Sequence, residues 1–212
     1  MAYPPGGHHN AMAVPKALRA VAAEAAGCTN CDLYARATQT VFGEGPAHAP
    51  LFLIGEQPGD HEDREGHPFV GPAGRVLDAA LEAASIRRDD VYLTNAVKHF
   101  KWEPRGKRRL HARPNQTEIV ACHGWLAREL ELVAPRVVVL LGAVAGQALY
   151  GSSFRVGKAH GQVLEHDGRP VISTIHPSAV LRMRAEEERR AAMDSFVADL
   201  RRAAKLQKTR AA

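Results

Sequence analysis

Long apolar runs are missing from this chain of 212 residues, and no stretch reaches the length needed to span a bilayer. The opening MAYPPGGHHNAMAVPK has no apolar h-region, so it does not read as a secretory signal. Residues 1–14 are expected to be a disordered leader, in which His8 and His9 are too few for a tag and read as solvated side chains. Cysteine is scarce and odd in number, at three, which argues against a disulfide framework and for a reducing compartment, the cytoplasm. Neither a P-loop nor a dinucleotide fingerprint is present, which weakens a nucleotide-hydrolase or dehydrogenase reading. With no internal repeat and no splitting linker, residues 15–207 are expected to form one domain.

What is present is a sizeable apolar fraction, 45%, and a charge placed in one spot. The segment Lys101 to Arg113, KWEPRGKRRLHAR, carries six Lys or Arg against one acid, Glu103, and so sums to +5. That equals the formal net charge of the whole chain, so the other residues balance at 22 basic and 22 acidic. A concentrated run without paired acids points to a polyanionic partner, although a solvated face has the same composition. Pro104 and Gly106 make it a poor helix, and it reads as a loop with His111 at the end of its densest run.

Around this segment the pattern alternates. Pro15 to Ala26 reads as an amphipathic helix ending at Gly27. Leu51 to Gly55, Val91 to Asn95 and Arg136 to Gly142 are short continuous apolar runs of the kind that become buried parallel strands. The polar segment Glu56 to Phe69 reads as a loop, and Val76 to Ala84 keeps helical spacing. Asn115 with Glu118 forms a capping box opening a helix to Val133. A short helix is expected from Ala143 to Tyr150. Asp167-Gly168 marks a hairpin between Gln162–His166 and Pro170–Thr174, and Ala185 to Lys205 is a final helix. Buried strands alternating with helices predict a three-layer α/β/α sandwich on a mostly parallel central sheet. Ligands of such sheets bind beyond the C-terminal strand ends, where Glu56, Gln57, Asp60, Asn95 and His176 leave the strands.

Five constellations carry candidate chemistry. Gly55-Glu56-Gln57-Pro58-Gly59-Asp60 places two carboxylates on a turn shaped by Gly and Pro, which is also the make-up of an ordinary solvated turn. Phe69, in a Gly/Pro-rich loop, can offer a ring face to a base or anchor the loop in the core, while His67 reads as a loop residue. Asn95 can match the amide edge of a pyrimidine or simply turn the chain. His176-Pro177-Ser178 can donate to an oxygen where negative charge develops, or start a helix, and Val180 or Leu181 beyond it can wedge into a base stack. Cys28-x-x-Cys31 with distant Cys122 suits a shared metal site, with His99 as the best fourth ligand; from residue types alone this reads as zinc first. Cys122 by itself is equally a buried helix residue.

In this order the constellations resemble the iron–sulfur uracil-DNA glycosylases, from Cys28 to about Leu200. The resemblance implies that family's fold. It also implies uracil-containing DNA, single- or double-stranded, as partner, and a [4Fe–4S] cluster on Cys28, Cys31, His99 and Cys122 in place of zinc. Gly55-Glu56-Gln57-Pro58-Gly59 together with Lys107-Arg108-Arg109-Leu110-His111 resembles in particular the UdgX group, whose members excise uracil and stay attached to the DNA through the loop histidine. On that likeness Phe69, Asn95, Gln57, Gly55 and His176 would hold the flipped uracil, and His176 would stabilise the departing anion. His111 would attack C1′, with Glu56, Gln57 and Asp60 beside it. Lys107, Arg108, Arg109, Ser178, Leu181 and Arg182 would hold the DNA, with Arg109 also able to position the loop. A monomer associated with the nucleoid is expected. Two rivals remain: a conventional glycosylase in which His111 only contacts phosphate, and a non-catalytic metal-containing module that binds nucleic acid.

Overall fold

The structure, a computed structural model, describes residues 16–209; the expected leader at 1–14 lies outside them. Strands β1 (Leu51–Gly55), β2 (Val91–Asn95), β5 (Val137–Leu141) and β7 (Arg169–Thr174) run parallel, and β6 (Val163–His166) closes one edge antiparallel to β7. The sheet order is β2-β1-β5-β7-β6. The free edge of β2 is covered, because Glu44 exchanges both backbone hydrogen bonds with Leu93.

Alternation along the strands explains the layers. In β1, Phe52 and Ile54 face one side and Leu51 and Leu53 the other. The first side packs on α1 (Lys16–Ala25), α4 (Gln116–Val133) and α5 (Ala143–Tyr150) through Leu18, Ile119, Leu126, Leu130 and Val144. The second packs on α3 (Pro72–Ala83) and α8 (Glu186–Thr209) through Leu77, Leu81, Phe196 and Leu200. The predicted three-layer sandwich is therefore the observed one. Asn115 caps α4, accepting from Glu118 N while the Glu118 carboxylate accepts from Asn115 N. Asp167 and Gly168, both with positive φ, make the turn between β6 and β7.

Two expectations are corrected. The segment after β1 is not all loop, since Asp60–Glu65 forms helix α2 with acidic residues through its first turn. The basic segment is a two-stranded hairpin, β3 (Trp102–Arg105) with β4 (Arg108–His111), separate from the main sheet. Gly106 takes a φ of 60° at the first turn position and Lys107 does not, which is the type II′ pattern that suits a two-residue hairpin. The two remaining helices are α6 (Val156–Ala159) and α7 (Pro177–Arg182).

Candidate active site

The chain passes from β1 to β2 on one side of the sheet and later to β5 on the other, so a crevice opens at the C-terminal end of β1. Gly55 ends that strand opposite Asn95 at the end of β2. Only glycine fits at 55: a Cβ there would stand 2.3 Å from Asn95 Oδ1 and 2.6 Å from Phe69 Cζ. Asn95 is buried, and among the described residues its carboxamide makes no hydrogen bond, which leaves it free for a ligand's amide edge.

Phe69 is held in the left-handed region with a φ of 56°. Arg88 braces it by donating to Phe69 O at 3.2 Å and Pro68 O at 3.3 Å, while Asp78 pairs with Arg88. Gly74 lets α3 approach, since a Cβ there would stand 1.9 Å from Phe69 O. The Phe69 ring lies 6.3 Å from the His176 ring.

His176 is the N-cap of α7. Its Nδ1 accepts from Ser178 N at 3.2 Å and also meets Ser178 Oγ at 2.8 Å, so the ring proton is placed on Nε2. Burial pushes its pKa down to about 4, helped by the nearby His111 and Arg182. A neutral imidazole with a fixed N–H donor is thus built by a helix cap. Ser178 is taken up in this cap, because its hydroxyl also accepts from Arg182 at 3.0 Å.

Glu56 leaves β1 beside this group. Burial raises its carboxyl above the ordinary value, and the charges of His111, Arg113 and Arg182 pull it part of the way back. Its Oε1 stands 3.5 Å from Nε2 of His111, an exposed ring at the end of β4. The His111 ring also leans on Phe100, at 6.2 Å.

The hairpin is held in place by polar contacts. Gln57, expected in the uracil slot, instead bonds the hairpin's base: Nε2 donates to Lys101 O at 3.1 Å and Ala112 O at 3.0 Å, and Oε1 accepts from Lys101 N at 3.0 Å. Arg109, expected among the phosphate contacts, turns inward to Asp60 at 2.5 Å and Asp63 at 2.6 Å, under the rings of Phe100 and Trp102. Asp60, expected beside His111, holds this guanidinium together with Arg64. Burial works against the Asp60 carboxylate, but the two guanidiniums outweigh it and hold its pKa below the ordinary value. Trp102 Nε1 donates to Arg36 O at 2.9 Å. Lys107 and Arg108 remain exposed and without an ion pair among the described residues, and Leu181 and Arg182 are exposed as well.

The four expected metal ligands occupy a separate region. Cys28 Sγ accepts from Trp125 Nε1 at 3.1 Å and Cys122 Sγ from Lys98 N at 3.2 Å. Burial pushes the Cys122 thiol up to about 11 and also raises Cys31. Thr40 Oγ1 donates to Ala25 O, so it accepts from His99 Nε2 at 2.9 Å, leaving Nδ1 of His99 with the lone pair. Among the described residues no three such side chains stand within reach of one ion, so the arrangement does not fit the single zinc that residue types alone suggest. Three sulfurs and an imidazole nitrogen, two of the sulfurs already accepting N–H bonds, do fit the softer donor set of a larger cluster.

Sequence reasoning did not find Asp63, Thr38 and Trp102, which grip the hairpin, or Arg88, which braces Phe69. It also missed a buried pair, Lys98 with Glu129. A cavity of about 1430 Å³ at the opposite, N-terminal ends of β1 and β2 contains none of the expected site residues.

A carboxylate, a carboxamide with no partner among the described residues, an aromatic ring and two imidazoles meet beside the basic hairpin, a set with the chemistry to hold a nucleobase. Comparison with known proteins gives the family. The model of the uracil DNA glycosylase superfamily matches residues 42–201. The chain is 37% identical to a type-4 uracil-DNA glycosylase of Thermotoga maritima over 80% of this chain and 85% of that protein. It is 36% identical to one from Archaeoglobus fulgidus, over 73% and 78%. A type-5 uracil-DNA glycosylase of Pyrobaculum aerophilum is 32% identical over 71% and 74%. The chain belongs to the uracil-DNA glycosylase superfamily.

Proposed function

We propose that this protein excises uracil from DNA and then remains covalently joined to C1′ of the abasic sugar through His111. Family membership supports the excision; the observation that carries the covalent step is the His111 imidazole, half exposed and 3.5 Å from the Glu56 carboxylate.

The nucleotide must leave the base stack to reach the strand ends. Phe69 stacks on the flipped base, and Asn95 pairs with its amide edge, which rejects cytosine by mismatched donors and acceptors. The C1′–N1 bond breaks with its electron pair going to the base, and His176 Nε2–H stabilises the oxygen that gains charge. A ring nitrogen of neutral His111 then supplies its lone pair to C1′, and the resulting imidazolium gives its proton to Glu56. Gln57, Asp60 and Arg109 act by fixing the hairpin that carries His111. Lys107, Arg108 and Arg182 neutralise phosphates, and Leu181 supports the gap left by the flipped base.

Cys28, Cys31, His99 and Cys122 would hold a [4Fe–4S] cluster, whose part here is to cross-link the segment before β1 to α4 and to the entry of the hairpin. The protein works as a monomer in the cytoplasm, on the nucleoid. No described helix is long and apolar enough to cross a membrane.

The test is a denaturing gel of the protein mixed with uracil-containing single-stranded DNA. A shifted band is expected, and His111→Ser should lose it while still releasing uracil. Free abasic DNA with no shifted band would point to a conventional turnover enzyme, and failure to release uracil to a binding module.

A further inference from the structure

Lys98 and Glu129 are both fully buried, with Nζ and Oε2 at 2.5 Å. Such a pair is a poor source of stability, since desolvating both ions offsets much of their attraction. Its hydrogen bonds are nevertheless complete. The ammonium donates to Glu129 Oε2, to Thr94 Oγ1 at 2.6 Å and to Asn95 O at 2.8 Å. Glu129 also accepts from Gly43 N at 2.8 Å, Tyr92 OH at 3.1 Å and Thr94 Oγ1 at 3.0 Å. Residue 43 has to be glycine for this, because a Cβ would stand 2.2 Å from Glu129 Oε1.

The bond to Asn95 O matters most. Beyond Asn95 the backbone is fixed to the exit of β1, with Ala96 N donating to Gly55 O and Val97 N to Glu56 O. The Asn95 carboxamide itself has no protein partner among the described residues, so its direction depends on its backbone. Lys98 holds that backbone from one side and the β1 exit from the other.

We propose that the buried Lys98–Glu129 pair is a positioning device for Asn95, aiming its carboxamide at the base; this rests on the base-excision reading above. Lys98 and Glu129 touch no substrate and act only through Asn95.

Lys98→Met alone strands a buried carboxylate and is expected to unfold the chain. The informative variant is Lys98→Met with Glu129→Gln, assayed for single-turnover uracil release with and without Asn95→Ala. Release should slow about tenfold when Asn95 is present and less than about twofold in the Asn95→Ala background, as coupled neighbours do. A gentler probe is Tyr92→Phe, which removes one bond to Glu129; it should slow release about twofold, again only when Asn95 is present. Equal slowing in both backgrounds, by either variant, means a merely structural role and overturns the proposal. If the unmodified chain releases no uracil, the base-excision reading fails and this proposal fails with it.

Discussion

The base slot and the hairpin beside it are held by different means. The slot is packed: buried Asn95, at the end of β2, and buried Phe69, in the loop before α3, both crowd Gly55 at the end of β1. The hairpin lies outside the main sheet and depends on a few polar side chains, chiefly Gln57, Arg109 and Trp102. Packed sites resist small changes until a volume limit is crossed, whereas a polar latch fails when one partner is removed. Excision and covalent capture should therefore be separable by mutation.

The largest effect should come from Gly55→Ala, which pushes a methyl into both Asn95 and Phe69. Uracil release should drop by roughly 10²-fold or more, because misplacement of about 1 Å has that effect on positioned reactants. Near-normal release would show that the slot is looser than its packing implies.

Gln57→Ala should strike the hairpin and spare the slot. It leaves Ala112 O and Lys101 N at the hairpin base without their partner, at about 1–3 kcal/mol for each that stays buried, while Lys101 O still accepts from Ala112 N. Adduct formation should slow about tenfold, equivalent to about 1.4 kcal/mol, while uracil release changes less. Parallel losses in both would contradict the separation.

His176 gives a pH test. Its pKa is lowered to about 4 in the folded protein, against an unfolded value near 6.5. The unfolded chain binds the extra proton first, so this contribution to stability is present above about pH 6.5 and is lost as pH falls toward about 4. Thermal melts across that window should show the decline, and His176→Asn should flatten it. An unchanged slope would assign the decline to other groups.

The smallest effect concerns Lys107, which is exposed and has no ion pair among the described residues. Lys107→Ala should weaken DNA binding modestly and reduce the slope of log K against log salt by about one. Arg109→Ala should instead disturb adduct formation with little change in that slope, since its charge is neutralised by Asp60 and Asp63.

The slot was more legible in the sequence than the hairpin, for a physical reason. Leu51 to Gly55 and Val91 to Asn95 are buried on both faces, so their continuous apolar runs mark the strands and the residues leaving them. The Asn115–Glu118 cap and the Asp167-Gly168 turn are local and readable in the same way. The hairpin has no apolar alternation, and Pro104 with Gly106 reads as a break. The fate of Arg109 depends on Asp60 and Asp63, which lie 49 and 46 positions away, and that of Lys98 on Glu129, 31 away. Nothing in the neighbouring sequence separates Arg109, turned inward, from exposed Arg108. The motif marks Gln57, but its bonds to the hairpin base are not legible in the sequence, since a side chain's direction out of a turn is set by what packs over it.

The most direct test is to digest the complex formed with uracil-containing DNA and sequence the modified peptide by mass spectrometry. The deoxyribose remnant is expected on His111, within the tryptic peptide that runs from Leu110 to Arg128, because trypsin does not cut between Arg113 and Pro114. A remnant on any other residue, or an unmodified peptide alongside released uracil, would contradict it.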